Sequence, residues 1–148
     1  MILPLLRELG AENIMDLHGV NELGIDIYCE WRDVFNVKRG FAIQIKAGDV
    51  TCKGRPDKSP DVIEICRQIE MTKAKEIILT DRVSKVTVDG YYVFISGKIN
   101  DTARDYILSQ KAIYSYLAFL DGDFLFRTIK NRSVLKARAF GMVPPQVI

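Results

Sequence analysis

Residues 91–95 read Tyr-Tyr-Val-Phe-Ile, a run of aromatic and β-branched residues with no charge in it. Successive side chains of a strand point to opposite faces, so such a run needs cover on both sides. It predicts a central strand, and the segments around it supply the cover. Helical spacing is expected over 2–9, with Leu5, Leu6 and Leu9 as the buried stripe and Gly10 as the stop. A longer helix is expected from Ser59 (cap) and Pro60 (first turn) to about Leu79. Its apolar positions are Val62, Ile65, Ile69 and Met71 or Thr72. A third helix begins at Asn100 or Asp101 and reaches about Gln110, turning Ala103, Tyr106 and Ile107 inward; a short fourth covers 124–131. Strands are expected over 13–17, 24–31, 40–47 and 114–120, with a hairpin over 32–39 turning at Asn36. Val86 and Val88 form a short strand before the Asp89-Gly90 turn dipeptide. This order predicts an α/β three-layer sandwich with a mixed central sheet, partly parallel because its crossovers run through helices.

A chain of 148 residues with 48% apolar content is expected to form one domain, over 1–140, with 141–148 as a flexible tail. Lys and Arg number 21 against 19 Asp and Glu, a net charge of +2, so a nucleic-acid surface has to be a local patch. The three cysteines lack CxxC spacing and His18, in a linker over 18–21, is the single histidine, which argues against zinc. Cys29 and Cys66 sit in apolar contexts and read as reduced packing residues. No apolar run reaches the roughly 18 residues of a spanning helix, and no signal segment opens the chain; a cytoplasmic protein without membrane contact is expected.

The strand over 40–47 alternates. Phe41, Ile43 and Ile45 fall on one face, and Ala42, Gln44 and Lys46 on the other. In the strand before it, Asp26 and Tyr28 lie opposite Ile25 and Ile27. If the two strands pair, Asp26, Gln44 and Lys46 converge. A carboxylate and an amide oxygen are hard ligands suited to Mg²⁺, and an ammonium can orient water or offset charge on a phosphorus centre. The arrangement suits metal-dependent phosphodiester cleavage. The same alternation also describes an ordinary half-buried strand whose polar face meets solvent, and spacing alone leaves both readings open. Glu22, four residues before Asp26, is either a second acidic ligand or a solvated loop carboxylate. The Gly- and Pro-containing loop after the motif strand carries Lys53, Arg55 and Lys58, read as a phosphate-contacting flap or as solvated charge. The basic residues Arg127, Lys130, Arg132, Lys136 and Arg138 read as solubilising charge or as a second phosphate-contacting patch.

The pattern Glu22-x-Gly24-x-Asp26, then Gln44-Ile45-Lys46-Ala47-Gly48, resembles the Asp…(Glu/Gln)-x-Lys signature of the PD-(D/E)XK nuclease superfamily, in the Gln variant of its Mrr-like restriction endonuclease branch. Tyr92–Gly97 with Asn100–Arg104, and Leu117–Gly122, are similar to that branch's later strands and helix, so the resemblance covers roughly residues 5–130. It implies a restriction-endonuclease-like fold and an Mg²⁺-dependent DNA endonuclease, with Mn²⁺ able to substitute, acting in restriction or defence. Asp26, Gln44, the Ile45 carbonyl and Glu22 would hold the metal, and Lys46 would position the attacking water. Double-stranded DNA is the implied partner, with a homodimer for cutting both strands and specificity left to further domains. Family members usually carry an upstream Glu on a longer first helix. Here that Glu either precedes these residues or is absent; Glu8 is a substitute whose helical position faces solvent. Gln68, on the long helix, is a secondary site candidate. The alternative is a catalytically inactive nucleic-acid-binding module on the same fold, since Gln replaces an acid. A small-molecule enzyme is disfavoured by the absence of a Gly-rich phosphate loop or of a nucleophile beside a histidine.

Overall fold

A computed structural model describes residues 2–17, 24–52, 61–73, 77–78, 85–86, 88–110 and 117–131. Its elements are α1 (Ile2–Glu8), β1 (Glu12–Asp16), β2 (Ile27–Arg32), β3 (Lys38–Lys46), α2 (Val62–Lys73), β4 (Ile77–Ile78), β5 (Lys85–Val86), β6 (Gly90–Ile95), α3 (Asp101–Ser109), β7 (Leu117–Leu120) and α4 (Gly122–Asn131). Five strands form one sheet in the order β1-β2-β3-β6-β7, and β4 and β5 form a separate two-stranded ribbon. The β1–β2 and β2–β3 pairs are antiparallel; β3–β6 and β6–β7 are parallel. The sheet is therefore mixed, as its helical crossovers predict.

The two parallel crossovers step in the same direction across the sheet. Connections of one hand then place α2 and α3 on the same face. There Val62, Ile65, Cys66 and Ile69 of α2 and Ala103 of α3 share a core with Tyr28, Ala42, Tyr91, Val93 and Ile95. On the opposite face, Leu6 of α1 and Leu125 of α4 pack with Ile27, Cys29, Ile43 and Phe94. Tyr91, Val93 and Ile95 against Phe94 is the two-sided burial expected of a central strand. An aromatic group of Trp31, Phe41 and Tyr92 closes this second layer, with Trp31 edge-on to Phe41 (centroids 5.2 Å apart) and Phe41 tilted against Tyr92 (5.4 Å). The Trp31 indole N–H donates to the Leu9 carbonyl (3.1 Å), tying the end of α1 to β2.

Local chemistry sets several boundaries. Asn36 takes φ +61° in the β2–β3 turn, where Asp33 accepts from the Phe35 and Val37 N–H groups. Asn100 caps α3 by accepting from Ala103 N–H (2.8 Å).

Other boundaries differ from the sequence reading. The helix expected to reach Leu79 stops at Lys73, and Ile77–Ile78 pair with Lys85–Val86 instead, consistent with the β preference of consecutive Ile residues. Of the alternatives Met71 and Thr72, Thr72 is buried and Met71 is exposed. The Asp121-Gly122-Asp123 turn is the start of α4, because the Asp121 side chain caps it by accepting from Phe124 N–H (2.9 Å). Leu9 is half-buried, while Leu5 and Leu6 are fully packed. Among the described residues no helix is long and apolar enough to cross a membrane. The expected tail over 141–148, His18, Ser59, Pro60 and the strand residues before Leu117 lie outside the described residues.

Replacing Leu6, fully buried on one face of the sheet, with Ala is expected to lower stability by about 2–5 kcal/mol in urea unfolding. The same change at Leu108, 61% exposed on α3, should stay within about 0.5 kcal/mol. Equal losses at both positions would contradict this layering.

Cys29 and Cys66 are free and buried. Burial pushes the Cys29 thiol up to about 12, with Glu30 adding to the shift, and the Cys66 thiol up to about 11, with Glu70 adding. The folded chain therefore holds these protons more tightly than an unfolded thiol of about 8.5. Their contribution is fully present below that value and is lost as pH rises toward the folded values. Urea midpoints are expected to fall above about pH 8.5, and to fall less steeply in the Cys29→Ala, Cys66→Ala double variant. An unchanged slope in that variant would remove the thiols as the cause.

Candidate functional site

The site forms where β2 begins against the end of β3. Ile27 pairs with Ile43 as the last regular pair at this end, and Asp26 follows just outside the ladder, its own N–H bonded to Ile43 and so one residue out of that register. Asp26 is held on both sides: its N–H donates to the Ile43 carbonyl (2.9 Å) and its carbonyl accepts from Leu17 N–H (2.8 Å). Its carboxylate crosses to β3, where Oδ2 accepts from Ile45 N–H (2.6 Å), a short charge-assisted bond. Ile45 and Ile43 share a phase of the ladder, so the Ile45 peptide faces the Asp26 side of β3.

The strand expected to begin at Gly24 begins at Ile27, and this changes its faces. Gly24 has φ +71°, a conformation that suits glycine and breaks the extended chain. Ile25 packs with Tyr28 beneath α2, while Ile27 packs in the opposite layer, and between them Asp26 bonds to Ile43 out of the register in which Ile27 pairs with Ile43. Ile25 and Ile27 do not share a face.

Gln44 lies on the α2 face, as its alternation predicts, but it does not meet solvent: it is 3% exposed. Its Nε2 donates to Gln68 Oε1 (3.2 Å), and Gln68 Nε2 donates to Glu64 Oε1 (3.2 Å). Glu64 also receives a two-pronged bond from the Arg67 guanidinium (2.9 Å for each prong). That hydrogen bond holds the Glu64 carboxyl below its ordinary range; burial opposes it, while the Gln68 N–H and the Lys46 charge pull the same way as Arg67. Lys46 thus stands within electrostatic reach of Glu64. It is half-buried at the end of β3, where its carbonyl accepts from Ser96 N–H (3.0 Å).

One atom is left over. Gln44 Oε1 is buried and has no hydrogen-bond partner among the described residues. An orphaned acceptor of this kind costs about 1–3 kcal/mol, and buried polar groups are otherwise paired. Gly24 closes over the amide: a Cβ there would lie 2.9 Å from Gln44 Nε2 and 3.7 Å from Gln68 Oε1.

The structure brings together Asp26, Gln44, the Ile45 peptide and, through Glu64, Lys46. It adds Gln68 as a direct partner of Gln44 and Glu64 as a carboxylate that sequence reasoning passed over. The signal for Glu64 was its spacing of four from Gln68, which puts both on one side of α2. Glu8 is exposed on α1, which packs on the other face of the sheet. Glu22, Lys53, Arg55 and Lys58 lie outside the described residues. Among the described residues no group of three or more His, Cys, Asp or Glu side chains could hold a metal ion. The donor set that is present consists of oxygens: a carboxylate, a buried amide oxygen and a backbone carbonyl. That set fits a hard cation that keeps several of its waters.

No protein-family model matches the chain. A comparison with curated proteins finds no match. Among solved structures, the chain is similar to the MspJI restriction endonuclease in complex with a 27-mer oligonucleotide, at 14% identity and a TM-score of 0.44. The likeness covers 96% of this chain, which spans 29% of the length of that one. The α/β class rests on the sheet order and helix layers described above, not on this likeness.

Gly24→Ala is expected to lose about 1–2 kcal/mol from the left-handed backbone alone, and more from collision with Gln44. Gly48 offers the control, with φ +84° and nothing within 4 Å of a Cβ. Urea unfolding should find Gly24→Ala the more damaging of the two; equal losses would mean that Gly24 does not close over the Gln44 amide.

Proposed function

We propose that this chain is an Mg²⁺-dependent DNA endonuclease of the PD-(D/E)XK type, in its Gln variant. The observations that carry the reading are the Asp26 carboxylate bonded across two strands to Ile45 N–H (2.6 Å) and the buried, orphaned Oε1 of Gln44, the residue before Ile45. A buried neutral acceptor without a partner has a physical purpose if a cation takes it up. Asp26, Gln44 Oε1 and the Ile45 carbonyl would hold Mg²⁺, with Mn²⁺ as a substitute and Glu22 as a second carboxylate. When bound, the ion supplies Lewis-acid stabilisation of the phosphoryl oxygens.

The remaining work falls to the protein. The Lys46 ammonium orients the attacking water and offsets negative charge as the new P–O bond forms and the ester P–O bond breaks. Lys53, Arg55 and Lys58 contact phosphates next to the reacting one. Cutting both strands of duplex DNA calls for two copies, arranged as a homodimer. The Mrr-like motif supports a role in restriction or defence, with specificity supplied by further domains.

A second reading has one observation in its favour. Asp26 is the one carboxylate of the proposed donor set among the described residues, and a single carboxylate holds a divalent ion weakly. On that reading the chain binds nucleic acid without cutting it.

Supercoiled plasmid incubated with Mg²⁺ or Mn²⁺ separates the two. The expected result is metal-dependent nicking, reduced at least about 100-fold in Asp26→Ala and in Lys46→Ala. A wild type that shifts DNA in a gel without nicking it selects the binding module. Nicking that survives both substitutions places the chemistry elsewhere.

A further inference from the structure

The Gln44 amide has two possible orientations, and only one presents oxygen to a cation. Inverted, it would offer N–H groups, which repel a metal ion. Nothing in the local strand conformation chooses between them, because the amide of a Gln side chain is nearly symmetric in shape. The choice is made on α2. Glu64, ionised and gripped by Arg67, can only accept hydrogen bonds. Gln68 must therefore turn its N–H toward Glu64, which leaves its Oε1 facing Gln44. Gln44 must then donate, so its Oε1 is turned away from α2 and left as the orphaned atom. Inverting Gln44 would set two carbonyl oxygens against each other at hydrogen-bond distance.

We propose that Glu64 and Gln68 are positioning residues: a carboxylate-anchored relay along α2 sets the polarity of the Gln44 amide, with Gly24 closing over it. Neither residue needs to touch metal or DNA. The relay acts as the outer partners of metal ligands generally do, fixing which atom of the inner group faces the ion. The metal-binding readout below rests on the proposed role of Gln44; the amide readout does not.

The test is an amide-resolved spectrum of ¹⁵N-labelled protein without metal, followed by an Mn²⁺ titration. With the polarity described, the Gln44 side-chain amide protons give cross-peaks to the Gly24 α-proton that occupies the Cβ position. Gln68→Met removes the acceptor and should abolish those cross-peaks and weaken Mn²⁺ binding by about tenfold. Glu64→Gln lies on the half-exposed side of α2 and leaves the core intact. It replaces the fixed acceptor with a group that can donate or accept, and should weaken the cross-peaks. The double variant Glu64→Gln, Gln68→Glu moves the acceptor-only group one link closer to Gln44 and should restore them. Cross-peaks that persist unchanged in both single variants overturn the relay. If wild-type protein shows the cross-peaks but binds no Mn²⁺, the metal reading of the site falls while the relay stands.

Discussion

The antiparallel register between β2 and β3 is the constraint on which the rest depends. Six pairs, from Ile27 with Ile43 to Arg32 with Lys38, are closed at one end by the Asp33–Asn36 turn and run at the other end into Asp26. The period of a strand is two, so a slip of one residue would exchange every face. Ile43 would move beneath α2, and Gln44 would enter the apolar layer of Cys29 and Phe94. Burial on both sides of the sheet makes such a slip costly. The same force that packs the core therefore delivers the Asp26 carboxylate to the Ile45 N–H of the next strand.

The helix that seals this face does two jobs. Val62, Ile65, Ile69 and Thr72 form the buried stripe of α2. Glu64 and Gln68 lie beside that stripe, so the packing that holds the helix also holds the polar chain reaching Gln44. An amide at 3% exposure within an apolar layer is tolerable only because one end is bonded. The other end, Oε1, is an unfavourable feature for folding, and sites that bind ligands commonly carry such local conflicts.

Much of the fold was legible in the sequence. The uncharged run over 91–95, the alternation of 41–46, the Asn36 turn and the Asn100 cap each report on neighbours within a few residues, and each was found. The reading failed where longer distances decide. Ile77 and Ile78 left the helical pattern because residues 85–86 were there to pair with. Ile25 and Ile27 fell on opposite faces because the ladder is irregular at Asp26, and the need for a glycine at 24 arises from a residue twenty positions away, Gln44.

By itself, then, the sequence determined which side chains share a face of each strand and which chemical groups the chain can offer, since both follow from local geometry and residue type. Only the tertiary structure decided that Gln44 is buried instead of solvated, that its oxygen is the unpartnered atom, and that Glu64 answers to both Gln68 and Lys46. Those outcomes are set by contacts between distant parts of the chain, because a hydrogen bond or a charge interaction exists only once folding has brought its partners together.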